Sequence, residues 1–150
     1  MRHVIRFSAL AYDRLKLIAR LPAEAGAIIG SSASSADYIT HAWFDAPAGY
    51  GKRVYVPSVD QITRVVRRWA EQDAVCFCGI IHSHADIFPA SLSAVDIRSA
   101  LSIMKNNAMS FLYMGLFHRG NFFVFKVFPD ATIEEMQVII ETDDLNNEKI

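Results

Sequence analysis

His82-Ser83-His84 and, after the spacer Ala85–Leu92, Ser93-Ala94-Val95-Asp96 hold the residue types of this chain best suited to chemistry. Two histidines two apart at the end of a strand can lean toward one point. A carboxylate in the first turn of the following helix can be folded back beside them by the intervening loop. Two neutral imidazoles and one carboxylate suit zinc, and three protein ligands leave the fourth tetrahedral position open, as in catalytic rather than structural sites. Zinc lowers the pKa of bound water to about 7, so this set points to hydrolysis. Each part also has a plainer reading. Ser93 and Asp96 alone form a helix capping box, and a lone His-x-His at a strand end is incidental in most proteins. Neither plain reading explains why two histidines precede that cap after a buried strand. Asp86 reads as a loop-surface carboxylate. His3, His41 and His118 have no partner pattern and read as surface or packing residues.

The elements that must position these residues follow from periodicity. Val75–Ile81 is a continuous apolar run of strand length, expected in the centre of a sheet covered on both faces. A helix is expected from about Ser93, with Ile97, Ala100, Leu101 and Met104 inward. Ser58 and Gln61 form a capping-box pattern ahead of Val59, Ile62, Val65, Val66 and Trp69, which repeat at helical spacing. A first helix after Ser8 is expected to bury Leu10, Leu17, Ile18 and Leu21 and to end at Pro22. Ala25–Gly30, Asp37–Phe44 and Arg53–Val56 read as strands, and Ala46–Lys52 as a loop. Ser110–Phe117 and Phe122–Phe128 suit a hairpin around His118–Asn121. Met136–Ile140 reads as a strand. The expected fold is α/β, a mixed central sheet flanked by helices.

The remaining composition excludes more than it assigns. The chain has 150 residues, 52% of them hydrophobic, enough for one core in one domain over residues 1–142, with residues 143–150 a polar tail. Metal is not needed to hold such a core together, so a bound metal would be there for chemistry. The formal charge of −1 gives no nucleic-acid footprint, and Arg64, Arg67 and Arg68 read as a solvated helix face. Cys76 and Cys78 share a strand face and are expected to pack in the core, in a reducing cytoplasm. No apolar stretch approaches the length of a membrane span, and the N-terminus lacks the apolar region of a signal peptide.

Gly79–Asp96 resembles the JAMM motif of the MPN+ zinc metalloproteases: an upstream Glu, then His-Ser/Thr-His, a spacer and Ser-x-x-Asp. Pro22-Ala23-Glu24-Ala25-Gly26-Ala27-Ile28-Ile29-Gly30 is similar to that family's first-helix end and first strand. The resemblance implies the MPN/JAB architecture, which is cytidine-deaminase-like. It implies that zinc is held by His82, His84 and Asp96. Glu24 would act as the general base, passing a proton from water to the leaving amine, and Ser93 would steady the oxyanion. Taken alone, Glu24 is an ordinary carboxylate at a helix end. The spacer is one residue longer than the family's usual one, Ala85 stands where Pro is common, and Gly26 or Ala27 replaces a frequent Cys, as in a divergent prokaryotic-type member. The implied substrates are amide or isopeptide bonds near the C-terminal Gly-Gly of ubiquitin-like or sulfur-carrier proteins. An extended tail of that kind could pair with a strand edge, for which Gly49–Val56 is the candidate. A non-catalytic MPN-type binding module is the alternative. A zinc nucleobase deaminase is disfavoured, since its His-x-Glu and Pro-Cys-x-x-Cys pattern is missing.

Overall fold

The structure is a computed structural model that describes residues 3–20, 25–45, 59–83 and 90–142. The expected strand Arg53–Val56, the loop Ala46–Lys52, the helix start at Ser58, the stop at Pro22 and the tail 143–150 lie outside these residues. So do Asp86 and the candidate edge Gly49–Val56.

The elements in chain order are β1 (Val4–Phe7), α1 (Ala9–Leu15), β2 (Gly26–Ser32), β3 (Tyr38–Asp45), α2 (Val59–Arg68), β4 (Val75–Ser83), α3 (Ala94–Asn106), β5 (Leu112–His118), β6 (Asn121–Val127), β7 (Ile133–Glu135) and β8 (Gln137–Ile140). The eight strands among the described residues join one mixed sheet in the order β7-β6-β5-β4-β2-β3-β1-β8. The apolar run of β4 lies at its centre, antiparallel to β2 and parallel to β5. The sheet is nearly closed. β7 is bound to β6 at one edge and β8 to β1 at the other, and the two outer strands are separated in the chain only by Met136.

Alternation along the strands divides the core in two. On one face Ile29, Ile39, Ile81, Tyr113 and Val124 pack with Ala11 and Leu15 of α1. On the other, Ile28, Ile80, Met114 and Val127 pack with Val65 and Trp69, which follow one another down α2 and its end, and with Ala100 and Met104 of α3. Helices therefore cover both faces of a mixed sheet. The alternation is broken on both sides of β2: Gly30 pairs with His41 and Ser31 with Ile39 of β3, and on the other side Ile29 pairs with Gly79 and Gly30 with Phe77, so Cys78 is an extra residue with no partner on β2. The bulge keeps Cys78 on the α1 face, where its thiol donates to the Ile29 carbonyl at 3.7 Å and burial pushes it up to about 12. Cys76 is exposed, which corrects the expectation that both thiols pack in the core. It is the second residue of β4, near the end of the strand opposite His82.

The α1 face also differs from expectation. The Ser8 hydroxyl accepts from the Ala11 amide at 3.1 Å and starts the helix. The helix stops at Leu15, and a 3₁₀ turn at Ile18–Arg20 follows. The tighter turn brings Ile18 inward, while Leu10 and Leu17 remain 60% and 53% exposed; Ala11 and Leu15 take the buried places. Val59, at the start of α2, is also exposed. The end of α2 passes into a π-helical turn, Trp69–Asp73, closed by Ala74 at φ +52°. His41 latches this turn to β3, with Nδ1 2.8 Å from the Thr40 hydroxyl, Nε2 3.2 Å from Asp73, and its ring edge-on to Trp69.

Candidate metal centre

His82 lies near the C-terminal end of β4, two residues after Ile80, and so faces the side of the sheet that α2 and α3 cover. It is buried. α3 begins at Ser93 with a complete capping box. The Ser93 hydroxyl accepts from the Asp96 amide at 3.1 Å, and the Asp96 Oδ2 accepts from the Ser93 amide at 2.8 Å. This reciprocal pair fixes the Asp96 carboxylate at the head of the helix. Its other oxygen, Oδ1, lies 3.3 Å from His82 Nε2. Capping and facing the imidazole are thus simultaneous, one oxygen for each.

That separation tests the fit to zinc. Charge-assisted N–H to carboxylate bonds contract to about 2.7–2.9 Å. Two ligand atoms each about 2.0–2.1 Å from a tetrahedral ion stand about 3.3 Å apart. The His82–Asp96 spacing of 3.3 Å is that of two ligands on one edge of a tetrahedron. An imidazole and a carboxylate are also ligand types zinc takes, so the two residues fit the ion.

Glu24 and His84 lie outside the described residues, but each adjoins a residue that is held in place. Ala25 follows Glu24, and Ser83 precedes His84. The Ala25 amide donates to the Ser83 hydroxyl at 3.0 Å, and the Ser83 amide donates to the Ala25 carbonyl at 3.0 Å. One side-chain and one main-chain bond thus extend the pairing of β2 with β4 to Ala25 and Ser83. The two residues are 58 positions apart in the chain. Among the described residues no group of three or more His, Cys, Asp or Glu is placed to hold a metal ion, and His82 and Asp96 are the described members of the expected set. Ser93 is exposed, and while its hydroxyl oxygen accepts the cap bond its proton is still available to donate.

Two residues beside this pair carry no signal in the sequence. Gly26 of β2 pairs with Asp45 on one side and His82 on the other, so the three stand in one row and share a face. Asp45 is fully buried there. The expected strand stopped at Phe44, one residue short of it. On the other side Leu116 of β5 pairs with His82, and His118 follows two residues later at the strand end. Neither position belongs to a motif; only strand register reveals them. Of the other histidines, His3 contacts Glu134 near the β7 edge, away from this row.

No family model matches the chain, and no curated protein matches it. The fold is shared with solved structures. The solution structure of a structural genomics target from Desulfitobacterium hafniense superposes with a TM-score of 0.65 at 18% identity, covering 93% of this chain and 94% of that one. At that identity the likeness is one of fold. Among the described residues no helix is long and apolar enough to cross a membrane.

Proposed function

We propose that this chain is a zinc-dependent peptidase of the JAMM/MPN+ type, with the MPN/JAB arrangement of sheet and helices, that hydrolyses an amide or isopeptide bond. The observation that carries the reading is the 3.3 Å approach of His82 Nε2 and Asp96 Oδ1, from the end of β4 and the head of α3. These are two of the three ligands that the motif names, and they meet at ligand spacing. His84 completes the proposed set. Zinc, when bound there, supplies Lewis acidity toward the scissile carbonyl and toward water.

The chain's own groups do the remaining work. Glu24, joined to the clamped Ala25, accepts a proton from the attacking water and delivers it to the leaving amine, a role worth about 10²–10⁴ in rate. Ser93 donates its hydroxyl proton to the developing oxyanion from the head of α3. Ser83 ties Ala25, the neighbour of Glu24 in the chain, to the end of β4, which carries His82 and precedes His84 in sequence. The proposed substrate is the Gly-Gly tail of a ubiquitin-like or sulfur-carrier protein, whose small residues suit a narrow approach to the zinc. The setting that goes with such substrates is the cytoplasm.

Metal analysis and peptidase assays on a Gly-Gly-lysine isopeptide test the reading together. Wild type is expected to hold one zinc per chain and to turn over. His84→Ala loses most of the zinc. Glu24→Gln keeps the zinc and loses about 10²–10⁴ of kcat. Full zinc in the His84 variant would overturn the ligand set. Stoichiometric zinc in wild type with no turnover of any tail-bearing substrate would leave a binding module in place of the enzyme.

A further inference from the structure

We propose that Thr40, His41 and Asp73 form a second active site, in which the Thr40 hydroxyl is a nucleophile toward activated acyl esters. This site is separate from the metal centre and does not depend on the peptidase reading. The three side chains are linked in series. Thr40 Oγ1 lies 2.8 Å from His41 Nδ1, and His41 Nε2 lies 3.2 Å from Asp73 Oδ2. A nucleophile within hydrogen-bond reach of a base that a third group orients is the arrangement used for covalent acyl transfer. His41 pairs with Gly30, which stands along β2 from Gly26, the partner of His82.

Neighbours on a regular strand point to opposite faces, so Thr40 and His41 would ordinarily not meet. Thr40 is the extra residue of the β3 bulge, since Gly30 pairs with His41 and Ser31 with Ile39. A bulge re-aims a side chain, and bulges recur beside active sites. Asp73 arrives from 32 residues away, as the last residue of the π-helical turn Trp69–Asp73. Turns of that kind are also frequent at functional sites. This one is anchored by the buried Trp69, whose ring meets the His41 ring edge-on at 5.6 Å, and is closed by the Ala74 amide, which donates to the Trp69 carbonyl. The imidazole is thus held by Thr40, Trp69 and Asp73 together.

A carboxylate only accepts, so in the neutral ring the proton sits on Nε2 and Nδ1 is left to accept from the Thr40 hydroxyl. Thr40 Oγ1 bonds to the acyl carbon while its proton passes to Nδ1. The bond from that carbon to the leaving oxygen or sulfur breaks, its electron pair goes to the leaving atom, and the imidazolium gives up the proton to it. Water then attacks acyl-Thr40 as Nδ1 takes a proton from it. The new ester bond breaks, and Oγ1 regains a proton from His41. Thr40 and His41 are half-buried and Asp73 is exposed, so a small acyl compound reaches the hydroxyl. The series supplies a nucleophile and a base, and the acyl compound must bring a good leaving group: an aryl ester or a thioester.

The probe is p-nitrophenyl acetate, with a chelator present so that the metal centre contributes nothing. Wild type is expected to carry an acetyl group on Thr40, located by peptide mass spectrometry after an acid quench, and to release p-nitrophenolate. Thr40→Val loses the adduct and Thr40→Ser keeps it. His41→Gln slows its formation by about 10²–10⁴-fold, the worth of a general base. Asp73 is a positioning residue: Asp73→Asn slows acetylation, and Asp73→Glu restores most of the rate. Acetyl groups found only on lysines or Cys76, an unchanged rate in the His41 variant, or equal rates in the two Asp73 variants overturn the inference and leave the three residues as a structural latch. None of these outcomes bears on the peptidase reading, which is tested with zinc present and on a different substrate. Should the His41 variant fail to fold, the position of the acetyl group in wild type and its loss in Thr40→Val still decide.

Discussion

Asp96 is asked to do two jobs with two oxygens, and the two can be separated. Ser93→Ala removes the hydroxyl that accepts from the Asp96 amide and is expected to cost about 1 kcal/mol, with zinc stoichiometry retained. Asp96→Asn leaves an amide oxygen that can still accept from the Ser93 amide, so most of the cap survives. It removes the charge that faces His82 at 3.3 Å, and zinc affinity is expected to fall by more than the roughly 10–100-fold that indirect partners of a metal cause. Urea denaturation and metal titration of both variants check the split. A purely structural Asp96 would give two variants that differ only in stability. At this scale the sequence was legible wherever neighbours in the chain are neighbours in space: Ser93 and Asp96 meet through one helical turn, and their spacing announces it. It was illegible for Asp45 and His118, whose relation to His82 is set by pairing between distant strands.

Elements were legible in proportion to how locally their pattern is decided. The helical spacing of Val65 and Trp69, the apolar run of β4, the hairpin of β5 and β6 and the cap of α3 all stand as the periodicity suggests. The face of α1 was misread because the helix ends early and a 3₁₀ turn changes the phase, which hydrophobicity alone cannot show. The bulge at Cys78 was invisible for a related reason, since it exists only in the pairing with β2. Two glycines beside that bulge allow the close approaches that seat β4. A Cβ on Gly30 would come within 2.6 Å of the Val75 side chain and 2.8 Å of the Trp69 ring. A Cβ on Gly79 would come within 2.4 Å of the Tyr113 carbonyl oxygen, on the backbone of β5. Side chains can give way by rotation, whereas a paired strand must shift as a whole. Both Gly30→Ala and Gly79→Ala are expected to destabilise by about 1–3 kcal/mol, with Gly79→Ala the more costly. Gly79→Ala should also weaken zinc binding, since any shift of β4 carries His82 with it. Equal costs in urea unfolding, or a Gly79 variant with unaltered zinc affinity, would show that β4 tolerates displacement.

The molecule as a whole depends on a sheet whose ends are tied together by one residue. β7 closes on β6 and β8 closes on β1, so the chain passes from one edge of the sheet to the other at Met136. The Met136 amide donates to the Val124 carbonyl at 2.9 Å, and its side chain is buried in the core that α1 covers, with Phe7, Tyr113 and Val124. β1 is held by its strand partners and by the buried side chains of Ile5 and Phe7. It pairs with β3 only through Arg6 and Phe7, and with β8 along its full length. Loosening the crossing therefore releases β8, then β1, then the lid of α1 that follows it. Met136→Ala removes the buried thioether and leaves a cavity at the junction, with an expected loss of about 2–5 kcal/mol. Ile133→Ala, on the exposed surface of β7, is the control and is expected to stay within about 0.5 kcal/mol. Hydrogen exchange read alongside denaturation should show the amides of β1 and β8 losing protection together in the Met136 variant, ahead of β4 and β5. If β1 stays protected while β8 exchanges, or if the two substitutions cost the same, the sheet is held as an open ribbon and Met136 is only one more apolar contact within it.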